Sequence, residues 1–368
     1  MGYARTKLTG VTVNMKFKAY NGYTLILPLG AKKAYLIDME GHVVHQWQLP
    51  RPPALYGELL PNSNLLYAGH VAEGPLAEFE GAGGEILELD WDGNTVWSYK
   101  DPYLHHCFSR LYNGNTLVAR WVPVPKAIAS RVKGGLIGTE REGLMWGDCL
   151  QEINPNGKIV WEWLAHEHLD LEVDTICPLC ARSQWTEISS IEALPQSDDI
   201  LVSLRRTDSV AIIDKASGNI KWRWGAGEIK HPPDATMLDN GRILLYDSGY
   251  HYPAPAFAYS RLLEVDPNEN KMVWEYKEAY WVDFYGAFMG NCQRLHAGNT
   301  LVSEAPTGRV FETTRKGDMV WEFVNPKRIS HPVYGHHNIV PQAYRYGPEY
   351  EAFRGKKLEH GSLLGQIS

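Results

Sequence analysis

Gly157-Lys-Ile-Val-Trp161-Glu-Trp163 is a turn glycine followed by a short strand with two indoles two residues apart. The unit returns as Gly93-Asn-Thr-Val-Trp97-Ser-Tyr99, Gly218-Asn-Ile-Lys-Trp222-Arg-Trp224, Asn270-Lys-Met-Val-Trp274-Glu-Tyr276 and Gly317-Asp-Met-Val-Trp321-Glu-Phe323. A weaker first copy is Gly41-His-Val-Val-His45-Gln-Trp47, which brings the number to six. On a strand, residues two apart share a face, so each copy presents an aromatic stripe that packs one sheet against the next.

A second unit precedes most copies: a polar turn and then an apolar strand. It reads Asn113-Gly-Asn-Thr-Leu-Val, Asn240-Gly-Arg-Ile-Leu-Leu and Gly298-Asn-Thr-Leu-Val, with variants at Asn62 and Gln196. Asn-Gly between apolar runs is a hairpin signal. Each repeat thus predicts four strands, and repeats of this length match propeller blades. The expectation is an all-β, six-bladed β-propeller in one domain over residues 1–368. Its blades are expected near 23–49, 57–102, 105–164, 185–225, 232–278 and 286–326. The first is short, and a strand from 337–346 is expected to complete it and close the ring, since an open ring exposes strand edges. Two long insertions, 121–147 and 164–184, are functional or disordered on length alone.

The 368 residues carry a formal charge of −7, with 44% hydrophobic residues, 13 Trp and 20 Tyr. That balance offers no basic surface for nucleic acid. No apolar run reaches membrane-helix length. Positive charge near Met1 is followed by no apolar stretch, so a cytoplasmic location is expected. The five cysteines show no disulfide framework. Cys177-Pro-Leu-Cys180 is a lone CxxC with no second pair, and reads as a loop with a buried cysteine before a zinc or redox site. Nothing indicates a nucleotide cofactor or fixes the oligomeric state; the expected partner is a small-molecule substrate.

Aligned on the Asn-Gly turns, His106 lies eight residues before Gly114, Glu187 ten before Ser197 and His231 ten before Gly241. The even offsets place all three on one face at the start of innermost strands, facing the channel. Strand ends add His70, Arg120, Arg205, Asp247 and Glu304. Such charge is costly to gather unless it pairs or binds something. Two chemistries fit. His106, Glu187 and His231 could hold a divalent metal for a lyase or hydrolase, since two histidines and a carboxylate are a recognised ligand set. Alternatively Glu187 acts as general acid or base with a histidine partner, while Arg205 and Arg120 clamp an anion. The plainer reading pairs Glu187 with Arg205. His251, with Tyr250 and Tyr252, and Tyr285, with Phe288, are expected as pocket wall; His336 or His337 would roof it. A ligand-binding propeller without catalysis is a further alternative.

Over residues 20–326 the chain resembles the bacterial arylsulfotransferase-like propellers. The carriers are Gly22-Tyr-Thr-Leu, Tyr35-Leu-Ile-Asp-Met-Glu-Gly, Leu104-His-His, Met145-Trp-Gly-Asp, Ser203-Leu-Arg, Trp222-Arg-Trp-Gly and Asp234-Ala-Thr-Met-Leu. The resemblance implies sulfuryl transfer between phenols through a central histidine. It maps the family's paired histidines to His105 and His106 and its arginine to Arg205. Glu187 and Ser189 stand where the family has histidine and asparagine. In Pro233-Asp234-Ala235 a proline replaces the histidine expected to carry the sulfuryl group.

Overall fold

The repeat units become six small antiparallel sheets, and the computed structural model is a six-bladed β-propeller, as the sequence predicts. It describes residues 8–252 and 258–366. The chain forms two compact units: Met1–Tyr67, Leu87–Val96 and Met289–Ser368 make one, and Ala68–Ile86 and Trp97–Phe288 the other.

In the first unit, blade 1 is built from Tyr23–Ile26, Lys33–Ile37 and Val43–Gln48, with Ala343–Tyr346 as its fourth strand. Tyr23 pairs with Tyr346 and Ile26 with Ala343, so the C-terminal segment completes the short first repeat. Blade 6 contains Asn291–Arg294, Thr300–Glu304, Arg309–Thr313 and Met319–Val324. An unanticipated fifth strand, Gly10–Asn14, covers its outer edge by pairing with Met319–Val324. An uncovered edge would be a pairing hazard.

The sheet of blade 2 runs Pro53–Leu59, Leu65–His70, Gly84–Leu89, Thr95–Lys100. In the second unit, blade 3 is Leu104–Arg110, Thr116–Pro123, Trp146–Ile153 and Ile159–Leu164; blade 4 is Ile188–Leu194, Asp199–Leu204, Ser209–Ile213 and Ile220–Trp224; blade 5 is Asp234–Met237, Ile243–Asp247, Arg261–Asp266 and Lys271–Tyr276. The two long insertions are ordered against each other. Gly134–Leu136 pairs in parallel with Ile176–Ala181. Val124, Val132, Met145, Ile176, Cys177, Cys180 and Trp185 form a small apolar core under them. Arg182 ties the pair together, donating to the carbonyls of Ala129, Val132 and Gly134 and to the Glu140 carboxylate.

The repeated tryptophans do more than fill space. Trp47 Nε1 donates to the Asp90 carbonyl, Trp97 to Pro155, Trp161 to Lys215, Trp163 to Gly218 and Trp321 to Met39. Each acceptor sits in the outer turn of the following blade. Indoles are apolar bodies with one donor, so one residue both packs and hooks a neighbour. Trp163 is buried while Trp97 is half-buried. Trp163→Phe is therefore expected to cost about 1–3 kcal/mol, since it strands a buried carbonyl. Trp97→Phe should cost under about 1 kcal/mol because water can replace the lost donor. Denaturant unfolding of both variants measures the difference.

Candidate functional site

The innermost strands of blades 3, 4 and 5 lie side by side in the second unit. His105 Nδ1 faces the Ile188 carbonyl at 3.2 Å, Ser189 Oγ donates to Pro232 O at 2.9 Å, and the Ala235 amide donates to Ser190 Oγ at 3.1 Å. His106 lies within the first strand, Leu104–Arg110; Glu187 immediately precedes the strand Ile188–Leu194, and His231 lies just before Asp234–Met237. All three lie at or just before an innermost strand.

His106 is held at both ring nitrogens. Nδ1 faces the Gly81 carbonyl at 3.0 Å and Nε2 the Ser189 carbonyl at 3.1 Å. Burial, with neighbouring His105, lowers its pKa to about 4. A neutral ring donates to only one of the two carbonyls, but both nitrogens face backbone oxygens, so neither is directed at a metal or an electrophile. The approach is so close that a Cβ on Gly81 would lie 2.6 Å from Nδ1. His105 beneath it is neutral as well, lowered to about 4 by burial. Its partner Asp148, 3.1 Å from Nε2, is pushed up to about 7 by burial, against hydrogen bonds from Thr186 and the Ile188 amide.

Glu187 is nearly fully buried and belongs to an ion cluster. Arg205 Nη1 meets its two oxygens at 3.0 and 3.1 Å, and Arg206 Nε donates at 2.6 Å. Burial would raise its pKa; the two guanidiniums outweigh burial and hold it at about 2. Arg205 also reaches Glu80 through Nη1, at 3.3 Å. Among the described residues its hydrogen bonds all run through that one nitrogen, so Nε and Nη2 remain for a ligand. Glu187 is thus the arginine's anchor, and the structural pairing considered from sequence is the one formed.

The ligand set His106, Glu187 and His231 is not assembled, because His106 and Glu187 are otherwise engaged and the three do not converge. Instead, among the described residues, Cys177, Cys180, His231 and His251 bring one ligand atom each within 4.8 Å of all the others. Cys177 Sγ is 3.5 Å from His251 Nδ1, and Cys180 Sγ is 3.6 Å from His231 Nε2 and 3.8 Å from His251 Nδ1. Cys180, and then the imidazoles of His231 and His251, draw the Cys177 thiol below the usual thiol range against the opposing effect of burial. The CxxC cysteines, buried as the sequence reading expects, lie beside two histidines distant in the chain.

The backbone here is unusual. Glu187, Asp208, His231 and His251 all have positive φ, of 52°, 52°, 52° and 69°. Non-glycine residues pay about 1–3 kcal/mol for such conformations and keep them where surrounding structure over-determines them, often at functional sites. Asp208 holds the His231 amide at 3.0 Å and Lys230 Nζ at 2.6 Å. Tyr250 stacks on His251 at 3.8 Å and meets His231 edge-on, and Tyr285 lies near Tyr250.

The other sequence candidates have partners within the protein. Arg120 Nε donates to Asp101 at 2.7 Å. Asp247 is buried and accepts from the Lys230 and Gly249 amides, the Tyr252 hydroxyl and Arg261 Nε, which leaves it a packing hub and no substrate contact. His70 Nδ1 faces the Ala82 carbonyl at 3.1 Å. Glu304 pairs with Arg309, and His336 with Ser330. His337, in the first unit, accepts from the Ile339 amide. Also in the first unit, Asp38 meets His42 and His360; His360 is largely exposed, and the group reads as a carboxylate bridging two imidazoles.

Removing Glu187 leaves Arg205 buried beside a single longer contact, to Glu80. Breaking one partner of a buried pair costs about 3–5 kcal/mol. Glu187→Ala is expected to lose that much in chemical denaturation and Glu187→Gln less, since the amide keeps an acceptor.

The profile of the arylsulfotransferase (ASST) family matches residues 72–326, more than half of the chain. No curated protein matches. Among solved structures, a protein of unknown function from Bacteroides caccae is 14% identical with a TM-score of 0.56, covering 88% of this chain and 98% of its own. A catalytically inactive virginiamycin B lyase from Staphylococcus aureus with quinupristin is 11% identical, TM-score 0.43, covering 74% and 69%. Kuenenia stuttgartiensis hydrazine synthase is 11% identical, TM-score 0.47, covering 86% and 81%. At these identities the structures speak only to the fold, and the Bacteroides protein carries the comparison. With six blades and a profile match over more than half its length, the chain belongs to the arylsulfotransferase family.

Proposed function

We propose that the protein is a transferase of this family that acts on a small anionic ester with an aromatic leaving side, bound at Arg205. Family membership suggests a transferase. The observation that carries the finer reading is Arg205 itself. It is nearly buried and fixed by Glu187 and Glu80 through Nη1, with its other N–H donors uncommitted. An arginine so held is pre-organised for a tetrahedral oxyanion such as a sulfuryl group, and its planar fork suits paired oxygens. Tyr250 and Tyr285 supply aromatic surface of the kind a phenolic group requires.

The transfer would not pass through the family's histidine. Pro233 has no nucleophile, and both His106 nitrogens face carbonyls. What remains is a single displacement. The acceptor phenol oxygen forms its bond to sulfur as the bond to the leaving phenolate breaks, and the acceptor's proton ends on the leaving oxygen, directly or through solvent. Arg205 stabilises the charge on the sulfuryl oxygens through the transition state.

The alternative of a ligand-binding propeller is favoured by one observation: His106 and Glu187 are both occupied by protein partners. Steady-state kinetics with aryl sulfate donors and phenol acceptors distinguish the readings. Single displacement predicts intersecting double-reciprocal lines and no burst of free phenol when the enzyme meets the donor with no acceptor present. Arg205→Lys should lower kcat/KM by about 10²-fold. Parallel lines with a sulfuryl-enzyme would contradict the direct route. Thermal stabilisation by aryl sulfates without turnover would replace the enzyme with a binding protein.

A further inference from the structure

We propose that Cys177, Cys180, His231 and His251 form a closed, tetrahedral zinc site that pins the second long insertion to blade 5. The argument begins with distances. Zinc bonds of about 2.3 Å to sulfur and 2.0–2.1 Å to nitrogen, at tetrahedral angles, set sulfur and nitrogen about 3.6 Å apart. The three sulfur–nitrogen separations seen are 3.5, 3.6 and 3.8 Å. A set of two thiols and two imidazoles around one point is the chemistry of zinc among the common divalent ions.

Burial and hydrogen bonding point the same way. His231 is fully buried, and its Nδ1 has no hydrogen-bond partner among the described residues. Its Nε2 lies 3.6 Å from Cys180 Sγ and 3.8 Å from the Asp208 carboxylate. A buried imidazole without a normal partner is costly. A metal bond at Nε2 would give that nitrogen the close partner it lacks, and explains why this edge of the ring is turned to the cysteine sulfurs. The left-handed backbone at both His231 and His251 becomes intelligible as well, because each turn directs its ring to the same point. Two thiolates cancel the charge of a divalent ion, so the loaded centre buries no net charge.

All four positions are taken by protein, which is the pattern of a structural site; an open position would mark a catalytic one. The ion would join three segments distant in the chain. These are the insertion strand Ile176–Ala181, the lead-in to blade 5 at His231, and the turn after its second strand at His251. The neighbouring Arg206 donates to the Ala181 carbonyl at 3.0 Å while holding Glu187. The zinc site therefore buttresses the Arg205 environment from behind. It does not depend on the transfer chemistry proposed above.

Elemental analysis of the full-length protein, reduced, incubated with zinc chloride and dialysed, tests the assignment. About one zinc per chain is expected, with thiolate-to-metal charge-transfer absorption after cobalt replacement. Cys177→Ser with Cys180→Ser, and separately His251→Gln, should each drop bound zinc below about 0.2 per chain. His251→Gln leaves the insertion's apolar core untouched, so far-ultraviolet circular dichroism should show its sheets intact. Limited proteolysis should then cut within residues 164–184 faster than in the parent. Less than about 0.1 zinc per chain in the parent would overturn the proposal, as would a Cys177–Cys180 disulfide that forms equally with zinc present, or undiminished zinc in either variant.

Discussion

Glu187 is the carboxylate on which the candidate site depends. It sits at the start of the innermost strand of blade 4 in a left-handed conformation, buried, and shared by two consecutive arginines. A charge in that position is tolerable only with opposite charge beside it. Its presence therefore fixes Arg205 at one angle and ties Arg206 toward the insertion. The carboxylate organises both arginines.

Around Arg205 the buried histidines His105 and His106 are engaged within the protein. Burial lowers His105 to about 4 and pushes Asp148 up to about 7 in their pairing. His106 braces the Gly81 loop against blade 4, and Pro233 carries no nucleophile. What the second unit offers is a fixed cation beside a compact group of sulfur and imidazole.

Much of this was readable in the sequence because the fold is periodic. Trp161 and Trp163, two apart after a turn glycine, state strand, face and neighbour at once. The starts of the inner strands follow from the Asn-Gly turns, and His106, Glu187 and His231 fall at or just before them. Their partners were not legible. Side-chain direction at a strand's lead-in depends on φ, and nothing in the letters at 187, 231 or 251 announces a left-handed turn. The cysteine–histidine cluster escaped for a related reason. Zinc-finger spacing keeps both histidines within a few residues, whereas here His231 follows Cys180 by 51 residues and His251 lies 20 further on. Only the circular order of blades brings them together. The strand Gly10–Asn14 was missed because it lacks the repeat and pairs with a blade some 300 residues away.

The insertions show how a propeller acquires a second layer of structure without changing its blades. They bring their own apolar core, an arginine that satisfies their carbonyls, and two thiols aimed at blade 5. The most direct measurement of the whole arrangement is anomalous diffraction from crystals of the reduced protein, collected on either side of the zinc absorption edge. The account predicts one strong difference peak equidistant from the two sulfurs and the two imidazole nitrogens, with Arg205 directed by Glu187 beside it. A map with no peak there, and the two sulfurs joined to each other, would contradict it.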